Sequence, residues 1–152
     1  LALIDCPLKD NIVVDKPIGR NPKNRLKMDV VPDGRNAKTA FVKLLTSQHN
    51  VELIAAKLFT GRTHQIRVHL NTLGRHILGD DLYGFKSKRD KISRVNLHAY
   101  LLYLVHPVTG ERMEFVAPLF DDMKMYISKN FDQGEVDEKI DPHTLGTLFN
   151  NL

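Results

Sequence analysis

The sequence has 152 residues, of which 42% are hydrophobic and 26% are charged, a composition typical of one soluble globular domain. No apolar run approaches the roughly 20 residues of a transmembrane helix. The start shows no charged segment followed by an apolar one, as a secretory signal would. The single cysteine, Cys6, cannot form an internal disulfide, so we expect a reducing, cytoplasmic location and no membrane association.

Charge is distributed unevenly along the chain. Residues 1–119 carry 19 Lys and Arg against 11 Asp and Glu, whereas residues 120–152 carry 3 against 7. A local excess of basic residues attracts phosphate through counterion release, which favours a polyanionic partner for the body of the chain. Charge by itself also fits a basic protein that binds no nucleic acid.

Short strands and a basic loop are predicted in the first part of the chain. Apolar pieces at 1–4 and 12–14 predict two strands, or a strand and a loop. The segment 16–28 contains two prolines and a glycine, so it is predicted to be an irregular loop with a positive face. Its candidates for phosphate contact are Arg20, Lys23, Arg25 and Lys27. The alternative is a solvated connector.

A pair of longer strands follows a turn predicted at Pro32-Asp33-Gly34. Residues 37–45 and 51–59 are apolar and flank a polar segment, which predicts two adjacent strands. In the second strand, alternate residues form two faces that are both mostly apolar. This pattern is typical of a strand inside a sheet that is covered on both sides, with helices on at least one of them.

The densest group of polar side chains lies at residues 60–70, with two arginines, two histidines and a glutamine. Thr63 is the predicted N-cap of a helix, Arg67 lies at the edge of its apolar stripe, and Gly74 is the predicted residue after its C-cap. Guanidinium groups and free helix N–H groups can hold anions, so this junction is a candidate anion site. The alternative is an ordinary capped helix whose Arg67 lies over the core.

The adjacent carboxylates Asp80 and Asp81 permit two interpretations. They could hold Mg²⁺ in a phosphoryl-transfer domain, or they could cap a helix or form an Asx turn, which is the commoner use of such residues. A zinc site is not expected, because there is one cysteine and His64 and His69 do not share a helical face. Residues 86–91 predict a basic exposed loop.

The last third of the chain predicts a hairpin and a helix. Residues 95–106 and 111–117 are strand-like and flank Pro107-Val108-Thr109-Gly110, which predicts a hairpin. Residues 120–131 predict a short helix. The acidic segment 132–152 is predicted to be either helical or partly disordered.

Several strings in this sequence resemble those of a known family. The string Gly61-Arg62-Thr63-His64-Gln65-Ile66-Arg67-Val68-His69 is similar to a signature of the RNA pseudouridine synthases that modify large-subunit ribosomal RNA and some transfer RNAs. Further strings similar to those of the family occur in the expected order: Asn21–Met28, Val31–Thr39, Gly79–Gly84, Leu97–Ala99, His106–Glu111 and Ala117–Pro118.

The resemblance implies an α/β fold with a mixed, largely antiparallel sheet and flanking helices, and an enzyme that isomerises uridine in RNA without a cofactor or a metal. It implies that Arg67 pairs with a catalytic aspartate and that Ile66 packs beside the pocket. It also implies that Arg62, Thr63, His64 and Gln65 support the turn or contact RNA. We expect a monomer.

The catalytic aspartate of the family stands in an Arg-Leu-Asp string that this sequence lacks, and the sequence begins with Leu1 rather than methionine. We therefore expect residues 1–123 to be the C-terminal part of a catalytic domain, followed by a tail at 124–152, and we expect this chain alone to be inactive. The alternative is a non-catalytic RNA-binding module with the same fold.

Overall fold

The computed structural model describes residues 1–84 and 92–152. The basic loop predicted at 86–91 lies outside the described residues. The elements in chain order are β1 (Ala2–Ile4), β2 (Ile12–Asp15), β3 (Ile18–Arg20), β4 (Met28–Val30), β5 (Lys38–Thr46), β6 (Glu52–Leu58), α1 (Gln65–Thr72), β7 (Leu101–Val105), β8 (Arg112–Val116), α2 (Asp121–Asn130), α3 (Gln133–Ile140) and α4 (Pro142–Asn150).

The centre of the fold is a four-stranded antiparallel sheet in the order β1-β6-β5-β2. Its longest pair is β5 and β6, in which Thr39 lies opposite Leu58 and Thr46 opposite Glu52. The predicted strands at 37–45 and 51–59 are confirmed, and the two short strands predicted before them form the edges of the sheet. The predicted α/β class with antiparallel strands and flanking helices is also confirmed.

Both faces of this sheet are covered, as the two apolar faces of β6 predicted. On one face Phe41 and Ile54 pack with Leu70 of α1. On the other face Val42 and Leu53 join a core that includes side chains of all three C-terminal helices: Met123, Ile127, Val136 and Leu145. Each fully buried side chain of this size contributes about 1.5–3 kcal/mol, so the two helical layers fix the sheet between them.

A second antiparallel pair, β3 and β4, occupies the segment predicted to be an irregular loop. Ile18 pairs with Val30, and Ile18 is almost fully buried. The loop prediction was wrong because the prolines do not lie inside the strands. Pro17 precedes β3, and Pro22 lies in the connection between β3 and β4. Residues 18–30 are called the basic hairpin below.

The hairpin predicted in the last third of the chain is confirmed as β7 and β8, a two-stranded sheet in which Leu102 pairs with Phe115. Gly110 closes its turn with a φ of 72°, a left-handed conformation that favours glycine. Phe115 remains 48% exposed and Leu102 55% exposed. The hairpin therefore buries little of its apolar surface within the described residues.

The C-terminal segment is helical. The predicted helix at 120–131 is confirmed as α2, and residues 132–152, whose order the sequence left open, form α3 and α4. Asp132 and Asp141 cap these two helices by accepting hydrogen bonds from the backbone N–H groups of Glu135 and Thr144. Within residues 1–84 and 92–152, no helix is long and apolar enough to cross a membrane.

Candidate functional site

The polar stretch lies, as predicted, at a junction between a strand and a helix, because β6 ends at Leu58 and α1 begins at Gln65. Its N-cap is His64, in a left-handed conformation with a φ of 56°, so the prediction of Thr63 was wrong. The reason is that Gln65 closes the turn itself. Its Oε1 accepts hydrogen bonds from the backbone N–H of Arg62 (3.0 Å) and from the hydroxyl of Thr60 (2.7 Å).

The other half of the Gln65 amide joins the helix to β5. Its Nε2 donates to the carbonyl of Lys38 (3.0 Å) and to Oγ1 of Thr39 (2.9 Å). Both the oxygen and the nitrogen of the Gln65 amide are hydrogen-bonded within the protein, and only 3% of the residue is exposed, so Gln65 supports the turn. We do not propose it as an RNA contact.

A buried histidine continues this connection towards the basic hairpin. Nε2 of His69 lies 3.0 Å from the carbonyl of Lys16, and Nδ1 lies 2.8 Å from Oγ1 of Thr39. A carbonyl can only accept, so Nε2 carries the proton and Thr39 donates to Nδ1. Burial lowers the pKa of His69, which fits this neutral form. His69 is thus a structural residue that ties α1 to the chain entering the basic hairpin.

The chemical centre of the junction is a bidentate ion pair between Arg67 and Asp80. Nε and Nη2 of Arg67 each lie 2.8 Å from a carboxylate oxygen of Asp80. The Asp80 side chain is 1% exposed and that of Arg67 is 18% exposed. A guanidinium group carries five N–H donors and this contact uses Nε and Nη2. Arg67 is therefore fixed in place and can still bind a second anionic group.

Asp80 also organises the turn that carries it. Its Oδ1 accepts hydrogen bonds from the backbone N–H groups of Leu82 (3.1 Å) and Tyr83 (3.2 Å). This is the Asx-turn interpretation of the two adjacent aspartates, and it is confirmed for Asp80. Because both oxygens of Asp80 accept from protein donors, the geometry does not favour the magnesium alternative.

Tyr83 connects this pair to the basic hairpin. Its hydroxyl oxygen accepts a hydrogen bond from the backbone N–H of Met28 (2.8 Å) and lies 2.8 Å from Nδ1 of His64. The Cζ atom of Arg67 lies 4.9 Å from the centre of the Tyr83 ring, and Nζ of Lys27 lies 5.8 Å from it. The Tyr83 side chain thus contacts both the start of the helix and the basic hairpin, and Tyr83 lies in the same turn as Asp80. Arg67, Asp80 and Tyr83 are called the Arg67 centre below.

The protonation states follow from these contacts. Burial raises the pKa of Asp80, but hydrogen bonds from Arg67 and the backbone outweigh it, so the pKa lies below its usual value. The hydrogen bond to Asp80 raises the pKa of Arg67. Burial and the charge of Arg67 lower the pKa of His64, which favours its neutral form beside Tyr83. The site therefore holds a charged Arg67 beside a neutral His64 at neutral pH.

The remaining predicted residues lie around this centre. Ile66 is half-buried against the core that contains Phe41 and Ile54. Arg62 donates from Nε to the carbonyl of Asn36 (2.8 Å), and Thr63 is exposed. Arg20, Lys23 and Arg25 are exposed on the basic hairpin. Lys27, which lies by the Tyr83 ring, is half-buried. The structure brings only Lys27 of these four against the Arg67 centre.

The sequence placed neither Asp80 nor Tyr83 beside Arg67, since Asp80 was considered only as a metal ligand or a turn residue. Both belong to the string Gly79–Gly84, which is one of the companions of the signature. The available signal was the presence of this string after the signature, because strings that accompany a site signature are candidates to contact it in the folded protein. Their contacts with Arg67 could not be read from periodicity.

A surface groove of about 600 Å³ lies elsewhere in the molecule, between the β7–β8 hairpin and α4. Its lining includes Tyr103, Glu114, Asp141 and His143 and shares no residue with the Arg67 centre. The two carboxylates make it a poor site for a polyanion.

Comparisons with known proteins agree with this geometry. A family model described as RNA pseudouridylate synthase matches residues 1–72. An uncharacterized RNA pseudouridine synthase of Helicobacter pylori is 47% identical over 148 residues, which cover 93% of this chain and 45% of that protein. Ribosomal large subunit pseudouridine synthase D of Zymomonas mobilis is 38% identical over 120 residues, which cover 74% of this chain and 38% of that protein.

A solved structure, human RNA pseudouridylate synthase domain containing 1, aligns with a TM-score of 0.67 and 26% identity, covering 84% of this chain and 62% of that chain. The chain spans less than half the length of the curated relatives described above. Its signature, its relatives and its fold agree, and this chain belongs to the RNA pseudouridine synthase family.

Proposed function

We propose that this chain forms part of an enzyme that isomerises uridine to pseudouridine in RNA. The observation that carries the proposal is the fixed guanidinium of Arg67, which stands inside the family signature, bound by the buried Asp80 and lying against the ring of Tyr83. The reaction breaks the bond between N1 of the base and the ribose and joins C5 to the ribose instead, while C5 loses its hydrogen as a proton and N1 takes up a proton. The target uridine must leave its stack to be reached.

Arg67 is the proposed partner of the catalytic aspartate. That aspartate is implied by the resemblance, and we propose that it is supplied from outside these 152 residues. A bidentate guanidinium beside a carboxylate keeps the carboxylate ionised and oriented, which a group acting at the glycosidic bond requires. Asp80 serves this role indirectly, since it holds one edge of the Arg67 guanidinium in place. Ile66 would pack beside the pocket.

The RNA would lie across the basic hairpin and the β6–α1 turn. Arg20, Lys23 and Arg25 are exposed and positive, and Lys27 sits against Tyr83 next to Arg67. With Arg62, Thr63 and His64 these residues form the proposed RNA-binding surface. Relatives named ribosomal large subunit pseudouridine synthase support a ribosomal RNA substrate, with transfer RNA as the alternative. We propose a cytoplasmic monomer that works without a metal or a cofactor, with residues 1–123 in the catalytic domain.

Tritium release from RNA that contains 5-tritiated uridine tests the proposal. In the intact protein we expect Arg67→Ala to lower turnover by at least 100-fold, as loss of a preorganised charged group does. Arg94→Ala is the matched control, because Arg94 also forms a bidentate pair with an aspartate, Asp122.

Near-normal turnover by the Arg67→Ala protein would remove the role assigned to Arg67. Residues 1–152 alone are expected to release no tritium, and release by them would overturn the proposal that the aspartate lies elsewhere.

A further inference from the structure

An exposed aromatic ring with two lysine ammonium groups close to it lies two residues before the signature. Phe59 is 51% exposed. Nζ of Lys38 lies 5.0 Å from the centre of its ring, and Nζ of Lys57 lies 5.4 Å from it. The site described above uses the backbone carbonyl of Lys38 but none of these three side chains.

The backbone fixes this arrangement. The N–H of Phe59 donates to the carbonyl of Lys38 (3.1 Å), so the pairing of β5 and β6 extends one residue beyond β6. Lys57 precedes Phe59 by two residues and therefore points to the same face of the sheet, as its contact with the ring shows. The ring and both ammonium groups thus share one face at the end of a rigid strand pair.

A guanidinium group is held close by in the chain. Arg62 follows Phe59 by three residues, and its Nε donates to the carbonyl of Asn36, two residues before Lys38. Backbone carbonyls at and just before the start of β5 therefore hold both the segment with the exposed ring and the arginine. Aromatic rings interleaved with basic side chains are the composition of surfaces that bind single-stranded nucleic acid, where bases stack on the rings and phosphates meet the charges.

We propose that Phe59, flanked by Lys38 and Lys57, is a stacking platform for an unpaired base of the substrate RNA. The proposal rests on the proposed function. Ile54 and Ala56 pack on the α1 side of the sheet, so the alternation along β6 places Phe59 on the other face. The stacked base is therefore a base other than the target uridine, and the platform contributes to RNA affinity rather than to chemistry.

Titration of the intact protein with single-stranded oligouridylate of about ten nucleotides tests the platform. Phe59→Ala is expected to weaken binding about tenfold, the loss typical of one stacked base. Phe115→Ala is the matched control, because Phe115 is similarly exposed at 48% but lies on the β7–β8 hairpin. It is expected to change binding less than about twofold, and equal melting temperatures of both variants with the parent protein show that neither change unfolds it.

A fluorescent reporter gives an independent readout. These 152 residues contain no tryptophan, so Phe59→Trp introduces one reporter into them. Stacking of a base on the new indole quenches its fluorescence and keeps RNA affinity near the parent value, whereas Phe115→Trp is expected to show no quenching.

Equal RNA affinity of the Phe59→Ala and Phe115→Ala proteins, or absence of quenching, overturns the platform. So does a parent protein that binds no oligouridylate. Tritium release from RNA is measured in parallel, so that a failed platform with intact turnover leaves the proposed function standing, and loss of the function itself is recognised separately.

Discussion

Two arginine–aspartate pairs of this protein have the same local chemistry and very different surroundings. Arg67 binds Asp80 through Nε and Nη2, and Arg94 binds Asp122 through the same two atoms. Each guanidinium also lies over an aromatic ring, Tyr83 in the first pair and Phe120 in the second.

The pairs differ in burial and in what surrounds them. The side chains of Arg67 and Asp80 are 18% and 1% exposed, whereas those of Arg94 and Asp122 are 50% and 55% exposed. Ion pairs in water contribute little, because solvent already stabilises each charge and salt screens the attraction. A buried charge that loses its partner is left without solvent or counterion. The same contact therefore fixes a site only where water is excluded.

The largest difference is expected in stability. Asp80→Ala leaves the Arg67 guanidinium largely buried and unpaired, and should lower the free energy of unfolding by about 3 kcal/mol. Asp122→Ala should lower it by less than about 1 kcal/mol. Urea denaturation of both variants measures the difference, and equal losses would show that burial does not separate the two pairs.

A smaller difference is expected in turnover. Asp80→Asn keeps the shape of the side chain but weakens its hold on Arg67, and a displaced guanidinium should lower turnover in the intact protein about 10- to 100-fold. Asp122→Asn should leave turnover within about twofold. Tritium release at saturating RNA measures both, with RNA affinity determined separately. If the Asp80→Asn protein lost affinity and kept its turnover number, Asp80 would not position Arg67 for the reaction.

The two aromatic rings offer a finer test. Tyr83→Phe keeps the ring over Arg67 and removes the hydroxyl that accepts from Met28, so the unpaired N–H should cost about 1 kcal/mol of unfolding free energy. The change should also loosen the basic hairpin, measured as faster amide hydrogen exchange at Met28 with slower exchange retained in α1. Unchanged exchange at Met28 would show that Tyr83 does not hold the hairpin. Phe120 carries no hydroxyl, so no equivalent loss exists at the exposed pair.

The smallest expected effect concerns acid stability. The folded-state pKa of Asp80 is lowered, so its stabilising contribution is complete above the unfolded value of about 3.9 and is lost as the pH falls through the folded-state pKa. Asp80→Asn should therefore flatten the acid limb of the curve of stability against pH. Asp122→Asn should flatten it less, because solvent screens that pair.

Burial also raises the pKa of Glu52. Glu52 is present in the parent protein and in both variants, so its contribution to the pH dependence of stability cancels when they are compared. Parallel acid limbs in the Asp80→Asn and parent proteins would contradict the assigned shift.

Much of the fold could be predicted because its signals are local. The strands at 37–45 and 51–59 alternate on two apolar faces, and the hairpin around Gly110 carries its own turn residues. The basic hairpin was missed because its strands are short and are held by contacts remote in sequence, among them the bond from Met28 to Tyr83. The N-cap was misplaced because Gln65 closes the turn with partners on β5, which no local propensity can reveal.

The sequence by itself determined the family, the junction of strand and helix, and the position of Arg67 at the edge of the helical stripe, since each depends on residues close together in the chain. Only the tertiary structure decided what Arg67 binds within the described residues. Asp80 lies 13 residues further along, and Tyr83 three residues beyond it. Their meeting with Arg67 depends on how the turn after α1 packs against the basic hairpin, and burial at that contact makes the pair strong.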